Sequence, residues 1–487
     1  MAQRMKTISF EKLINWIFTE LKEHHQIFGI PSTKFFKKEN SSSVEIFNEK
    51  LETKLGPAAG PHTQLAQNII VSYLVGGRFM ELKTVQKLDN LEIEKPCIDA
   101  EDEGYNVEWS QELSLEESYD EYLKSWILLH TIKEVLGLSI NSERGFIFNM
   151  SVGYDLDGIK TERMNKFIDD LIDAKRFAPF QKYKNWLIDN LDKVVRPNSL
   201  PKEFDFSQLK RKIDGISPNI SNSVTLSTMH GCPPHDIEAI AKYLIKEKGL
   251  HTYIKLNPTL LGFDYVDDLL QQLGYKYIKL EKKSFEHDLQ FKDAIPMIQR
   301  LRDFANEHKK EFGVKLSNTL GVNNTLKKLP GNEMYLSGRS LFPLTINLAY
   351  KLASEFDGEL NISFSGGATV NNSHQIFETG IYPITLVTDL LKPGGYERLS
   401  QIAKRFEDSD LNLSQINKIN LSKLKTLSER SIEETFYKKE NRKTKSLKIS
   451  STLEKFDCYV APCEVACPIH QDVSKYIRLI EEKRGVH

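Results

Sequence analysis

The sequence predicts a (β/α)8 barrel, and two observations carry that prediction. Eight short apolar segments recur between residues 54 and 388, each followed by a polar or glycine-rich loop and separated by helical stretches. The residues just past those segments concentrate lysine, asparagine, histidine and glycine, and barrels gather their functional groups at the carboxyl ends of their strands. An open, doubly wound sheet is the alternative arrangement for the same alternation.

The elements follow in order. Ser9 is placed to cap a first helix over residues 10–23, where Phe10, Leu13, Ile14, Ile17 and Leu21 recur at helical spacing. Strands are expected over residues 54–58, 79–85, 146–152, 223–229, 252–257, 313–318, 360–365 and 383–388. Helices are expected over 64–75, 118–136, 234–248, 291–310 and 343–355. Four regions result: an N-terminal helical extension (1–50), the barrel (51–405), a polar linker (406–455) rich in Lys, Ser, Asn and Glu, and the start of a helical segment (456–487).

Composition narrows the function class. The 487 residues are 40% hydrophobic and 27% charged, with 66 basic against 67 acidic side chains. A net charge of −1 gives no electrostatic footprint for nucleic acid or an anionic membrane. Without a signal-peptide core or an apolar run of spanning length, a cytoplasmic protein is expected, with its thiols reduced.

Chemistry at the strand ends is specific. Lys83 and Lys255 sit in apolar strands, where a buried ammonium requires an anionic partner or a route to the barrel mouth. Ser365-Gly366-Gly367 follows the seventh strand, where a tight turn or a backbone phosphate cradle fits. Ile254-Lys255-Leu256-Asn257 and Val314-Lys315-Leu316-Ser317 read as successive strands of one pattern.

At the other end of the chain, Cys458, Cys463 and Cys467 form C-x4-C-x3-C-P with Pro468. Three of the five cysteines lie within ten residues, which points to an iron–sulfur cluster or zinc rather than disulfides. Such a site normally takes four ligands. Cys97 and Cys232 are far upstream, so the set is incomplete, with His470 the nearest addition.

Together these motifs resemble the flavin-binding barrel of the dihydroorotate and dihydropyrimidine dehydrogenases. Lys83-Thr84, His230-Gly231-Cys232-Pro233, Lys255-Leu256-Asn257-Pro258, Ser317-Asn318-Thr319 and Ser365-Gly366-Gly367 match that family's motifs in order. The resemblance implies FMN, with Lys83 and Lys255 at the flavin and Gly366 and Gly367 at its phosphate. It also implies cofactor contacts at Ala58 and Thr388, and at Asn318 and Thr319, which would touch a ring-shaped substrate as well. Cys232, flanked by His230 and His235, is the implied acid/base, and an ordinary buried thiol is the competing reading.

The cysteine motif is similar to the start of the helical, ferredoxin-like iron–sulfur domain of dihydropyrimidine dehydrogenase and the glutamate synthase small subunit. That similarity implies [4Fe–4S] clusters, one ligated by Cys458 and Cys463 and a second by Cys467. The order of barrel before cysteines resembles the selenate reductase subunit family, which implies a downstream FAD/NAD(P)-binding module or partner subunit. The expected function is hydride and electron transfer between FMN and a small unsaturated or N-heterocyclic substrate. The alternatives are a flavin-free docking scaffold and a zinc-stabilised barrel of another class.

Overall fold

One contact closes the barrel. The strands Leu55–Pro57 and Phe79–Glu81 end an eight-stranded parallel sheet, and the Arg78 amide donates to the Leu55 carbonyl at 2.8 Å across the seam between them. Gly56 permits this approach, since a Cβ there would lie 1.7 Å from the Phe79 carbonyl oxygen. Any side chain would push the seam apart. From Leu55–Pro57 the sheet runs through Ile384–Leu386, Asn361–Phe364, Phe312–Leu316, His251–Leu256, Ser223–Ser227 and Ile147–Gly153 to Phe79–Glu81. The eight expected strands are all present, and the chain is a near-closed TIM barrel.

In this computed structural model the described residues are 6–40, 42–88, 94–106, 112–139, 144–153, 155–195, 204–227, 231–392, 394–407 and 418–441, with positions 468, 471 and 480. The expected helices form as Ala66–Leu74, Leu115–Leu136, Pro234–Lys246, Phe291–Glu307 and Phe342–Glu355. Leu115–Leu136 starts at a capping box, in which Ser114 Oγ accepts from the Glu117 amide at 3.2 Å while the Ser114 amide donates to Glu117 at 2.9 Å. It stops at Gly137, whose φ of +57° suits a left-handed cap. Ser9 caps Phe10–His24 as its sequence predicts, its side chain accepting from the Lys12 amide.

Two additions decorate the ends of the barrel. The hairpin Val44–Ile46 with Glu49–Leu51 covers the floor and presses Phe47 against Phe79 and Tyr253 at ring separations of 6.2 and 5.2 Å. Loops after the second and sixth strands build a small sheet at the mouth from Leu320–Asn323, Glu333–Leu336, Ile98–Asp99 and Tyr105–Asn106. That sheet has no counterpart among the expected elements.

The expected polar linker contains, among its described residues, helix Leu421–Glu433, which buries Leu424, Leu427, Ser428 and Ser431. It packs along Phe342–Glu355, and Asn347 donates to the Ser428 carbonyl at 3.4 Å. Tyr437 follows as a strap over the mouth end of that helix, stacked on Phe342 at 4.7 Å. Residues 418–441 are thus part of the barrel's outer layer. Their apolar positions are too few to stand out in a Lys/Ser/Glu background, but Ile419, Leu424, Leu427 and Tyr437 are buried.

Candidate active site

The barrel interior is polar just below its mouth. Strands two to eight contribute Glu81, Asn149, Thr225, Lys255, Lys315, Ser363 and Thr385. Glu81 is the hub. Its carboxylate pairs with the Lys315 ammonium at 3.1 Å and accepts from the Ala59 amide at 3.1 Å. Thr225 and Thr385 each donate to it at 3.4 Å, and Lys315 also donates to Ser363 at 3.3 Å and to Thr385.

Burial alone would raise the Glu81 carboxyl pKa, but Lys315, Lys255 and the Ala59 N–H outweigh it and hold the group below the usual range. Lys315 is lowered by burial, against the pull of Glu81.

Lys255 stands apart from that pair. It lies opposite Lys315 in the strand register, and burial lowers its pKa to about 8, against the attraction of Glu81 and with the repulsion of Lys315. Among the described residues its ammonium makes no hydrogen bond or ion pair. It lines a recess together with Cys232, Asn257, Thr259 and Asp288. The Asn149 amide oxygen, fully buried, also lacks a hydrogen-bond partner. A cation and an acceptor left over at a barrel mouth mark a place where a polar ligand completes the structure.

The recess borders the thiol expected to carry acid/base chemistry. Cys232 is half-buried and its pKa is raised to about 11 by burial, with Asp236 and Asp155 adding to the effect. It is therefore a protonated thiol at neutral pH. On the facing loop, half-buried Asn318 donates to Asn257 Oδ1 at 2.8 Å, with Thr319 beside it. His230 lies outside the described residues.

The expected phosphate cradle is tightly packed. Gly366 donates its N–H to the Leu316 carbonyl at 3.2 Å. A Cβ on Gly366 would sit 2.2 Å from Thr345 Oγ1, and one on Gly367, whose φ is +78°, would sit 2.5 Å from the Phe342 amide nitrogen. Protein packing by itself requires both glycines. The Ala58 amide is likewise taken, by the Leu386 carbonyl at 2.9 Å, and Thr388 Oγ1 pairs with Ser337 Oγ at 3.0 Å. Asp389 beside it is neutralised by Lys392 at 3.1 Å and Arg398 at 2.7 Å. Arg339 serves elsewhere, donating to the Phe436 and Lys438 carbonyls at 2.6 and 3.2 Å and so fastening the strap.

Lys83, buried just past the second strand, lies near His62, whose imidazole is held neutral by burial, with a pKa of about 4. Both His62 ring nitrogens are buried, with the Leu386 backbone and Glu81 raising the pKa against that burial. Glu81, Asp288 and His62 are site residues that carry no distinguishing signal in the sequence. Only Lys315 left a signal, by occupying the place in its strand that Lys255 holds in the preceding one. Cys458, Cys463 and Cys467 lie outside the described residues. Among the described residues no cluster of His, Cys, Asp and Glu is placed to hold a metal ion, and no helix is long and apolar enough to cross a membrane.

A near-closed TIM barrel with its charged and amide groups gathered at the mouth fits an oxidoreductase domain, and comparison with known proteins gives that class. The chain belongs to the family described as "Oxidoreductase YgfK, N-terminal TIM-barrel domain", which matches residues 28–439. It is 47% identical over 488 residues to "Putative oxidoreductase YgfK" of Escherichia coli (strain K12), covering 99% of this chain and 47% of that protein. The same figures hold for the protein of that name in Escherichia coli O157:H7. The chain therefore spans about half the length of the curated relatives it matches.

Among solved structures, dihydroorotate dehydrogenase (DHODH) of Eimeria tenella in complex with ferulenol aligns over 86% of this chain and 96% of its own, at 14% identity and a TM-score of 0.45. Its ligand-free type aligns over 85% and 97%, at 13% identity and a TM-score of 0.41.

Proposed function

We propose that this domain binds FMN at the barrel mouth and works as a flavin-dependent oxidoreductase on a small unsaturated or N-heterocyclic substrate. The observation that carries the reading is the Lys255 ammonium, which has no hydrogen bond or ion pair among the described residues although it adjoins Lys315 of the Glu81–Lys315 pair. FMN, when bound, supplies a two-electron acceptor and donor whose reduced ring is anionic and favours a nearby cation. Lys255 would hold that charge with support from Lys83, and the orphaned Asn149 oxygen would accept from the ring. Asn318 and Thr319 would orient the substrate, while Ala58, Gly366, Gly367 and Thr388 would border the cofactor. Cys232 keeps a proton on Sγ beside the same recess and is the proposed acid, with His230, two residues earlier in the sequence, the alternative.

The reading extends beyond the barrel. Cys458, Cys463 and Cys467 are proposed to ligate [4Fe–4S] clusters, which their spacing supports. An FAD/NAD(P)-binding module or partner subunit would exchange electrons with them in a reducing cytoplasm. The greater length of the curated relatives is compatible with such a module. The assignment to a selenate reductase-type flavoprotein rests on motif order alone.

One observation favours a second reading, a flavin-free barrel that serves as a docking scaffold. The Gly366 N–H is already bonded to Leu316, and both glycines are needed for packing. Flavin analysis of the purified chain with Lys83→Ala and Lys255→Ala variants separates the two. The flavin reading expects FMN in the wild type and less in both variants. A folded, colourless wild type that does not take up added FMN favours the scaffold.

A further inference from the structure

One carboxylate dictates how the amides at the barrel mouth are turned. Asp288, buried at the end of the short helix Lys282–His287, accepts from Asn257 Nδ2 at 3.1 Å and Thr259 Oγ1 at 2.8 Å on one oxygen. Its other oxygen accepts the Gly231 N–H at 2.6 Å. The Asp288 backbone is itself held, because Gln290 Nε2 donates to its carbonyl at 2.7 Å and its amide reaches the Ser284 carbonyl at 3.1 Å.

An ionised carboxylate only accepts hydrogen bonds. Asn257 must therefore turn its NH2 toward Asp288 and its oxygen away. That oxygen meets the NH2 of Asn318 at 2.8 Å. The Asn318 amide oxygen, spared by that bond, accepts no hydrogen bond among the described residues. The relay has one polarity, from the carboxylate to an unengaged acceptor.

We propose that Asp288 is the positioning residue that fixes this polarity, so that the mouth selects ligands donating an N–H, such as cyclic amides and imides, over their N-alkylated forms. The proposal rests on reading the mouth as the site of a small N-heterocyclic substrate. Asp288 also ties down Gly231, next to Cys232, so one side chain registers both the amide relay and the thiol-bearing turn. A lost N–H donor leaves the Asn318 oxygen unpaired in the complex, which disfavours the N-alkyl ligand.

The test is binding of glutarimide and N-methylglutarimide to the full 487-residue chain, followed by saturation-transfer NMR, for wild type and Asp288→Asn. The wild type is expected to prefer glutarimide by about tenfold or more. Asp288→Asn keeps the shape but can donate as well as accept, so the relay loses its fixed direction and the preference should fall below about threefold. The preference is a ratio within one protein, so partial unfolding of the variant does not disturb it. A wild type that binds both imides equally or neither, or an undiminished preference in Asp288→Asn, overturns the proposal. Flavin content of the same samples is read separately by absorbance. Colourless protein that still discriminates removes the flavin reading and leaves the role of Asp288 standing, and yellow protein without discrimination does the reverse.

Discussion

Glu81 and Lys315, on the second and sixth barrel strands, form an ion pair 3.1 Å apart with both side chains almost wholly buried. Hydroxyls from three further strands surround it: Thr225, Ser363 and Thr385. Glu81 also attracts Lys255, which adjoins Lys315 in the strand register and lines the recess. A buried pair of this kind contributes little net stability over a hydrophobic replacement, yet removing one partner strands the other. Its worth here is electrostatic, because it keeps a second cation tolerable at the mouth.

Glu81→Gln should therefore destabilise the barrel by about 3–5 kcal/mol, since Lys315 is left buried and uncompensated. Joining it with Lys315→Met should recover most of that loss. Urea unfolding of wild type and the two variants checks this, and a double variant no more stable than Glu81→Gln would show that the network, not the pair, carries the energy.

Lys54 gives a pH signature from the opposite end of the barrel. Its ammonium is buried without a hydrogen-bond partner, lies 4.6 Å from the Phe377 ring centre and 4.2 Å from that of Tyr382, and has a pKa lowered by burial to about 7. The unfolded chain keeps this proton up to pH 10.5, so between about 7 and 10.5 it binds more protons than the fold does. Stability from this group rises with pH across that window and is lowest below pH 7. Lys54→Met should be stabilising at pH 6, by on the order of 2 kcal/mol, and should flatten the dependence. Thermal unfolding at pH 6 and pH 9 measures both effects, and an equal change at the two values would contradict them.

The thiol of Cys232, raised to about 11, should alkylate slowly. Peptide mass spectrometry after iodoacetamide treatment should show little labelling of Cys232 at pH 7.5, increasing steeply only toward pH 11. Rapid labelling at neutral pH would mean a thiolate, which suits a nucleophile and not the proposed proton donor.

Tyr437 ties residues 434–441 to the barrel: it stacks on Phe342, and its hydroxyl accepts from Asn372 at 3.2 Å. Tyr437→Ala should cost about 3–5 kcal/mol. A chain ending at residue 407 should lose more, because helix Leu421–Glu433 goes with it. Unchanged unfolding midpoints in both would return 418–441 to the status of a linker.

How far the sequence revealed this molecule depended on how each feature writes itself into the chain. Parallel strands buried on both faces are apolar runs bounded by breakers, so all eight could be read directly. The lysines stood out because charge inside such a run is costly. Glu81 lies inside the run expected over residues 79–85 as Lys83 does, and its role emerges only when the fold brings Lys315 to it. Asp288 lies in a polar stretch between two helices, and only the fold brings it to Asn257 and Gly231. Gly366 and Gly367 read as a phosphate cradle, while their neighbours Thr345 and Phe342 come from a helix that sequence spacing could not bring near. Leu424, Leu427 and Tyr437 were hidden for the same reason, since their partners are on Phe342–Glu355.

Equilibrium dialysis of FMN against the purified chain, wild type and Lys255→Met, at pH 7 and pH 9.5, tests the flavin site most directly. Burial sets the Lys255 pKa at about 8, so its ammonium is present at the lower pH and largely lost at the higher. Wild type should bind FMN at pH 7, weaken by about tenfold at pH 9.5, and match Lys255→Met there. Absence of FMN binding by folded wild type, or binding that neither pH nor Lys255→Met alters, would contradict a flavin site at this barrel mouth.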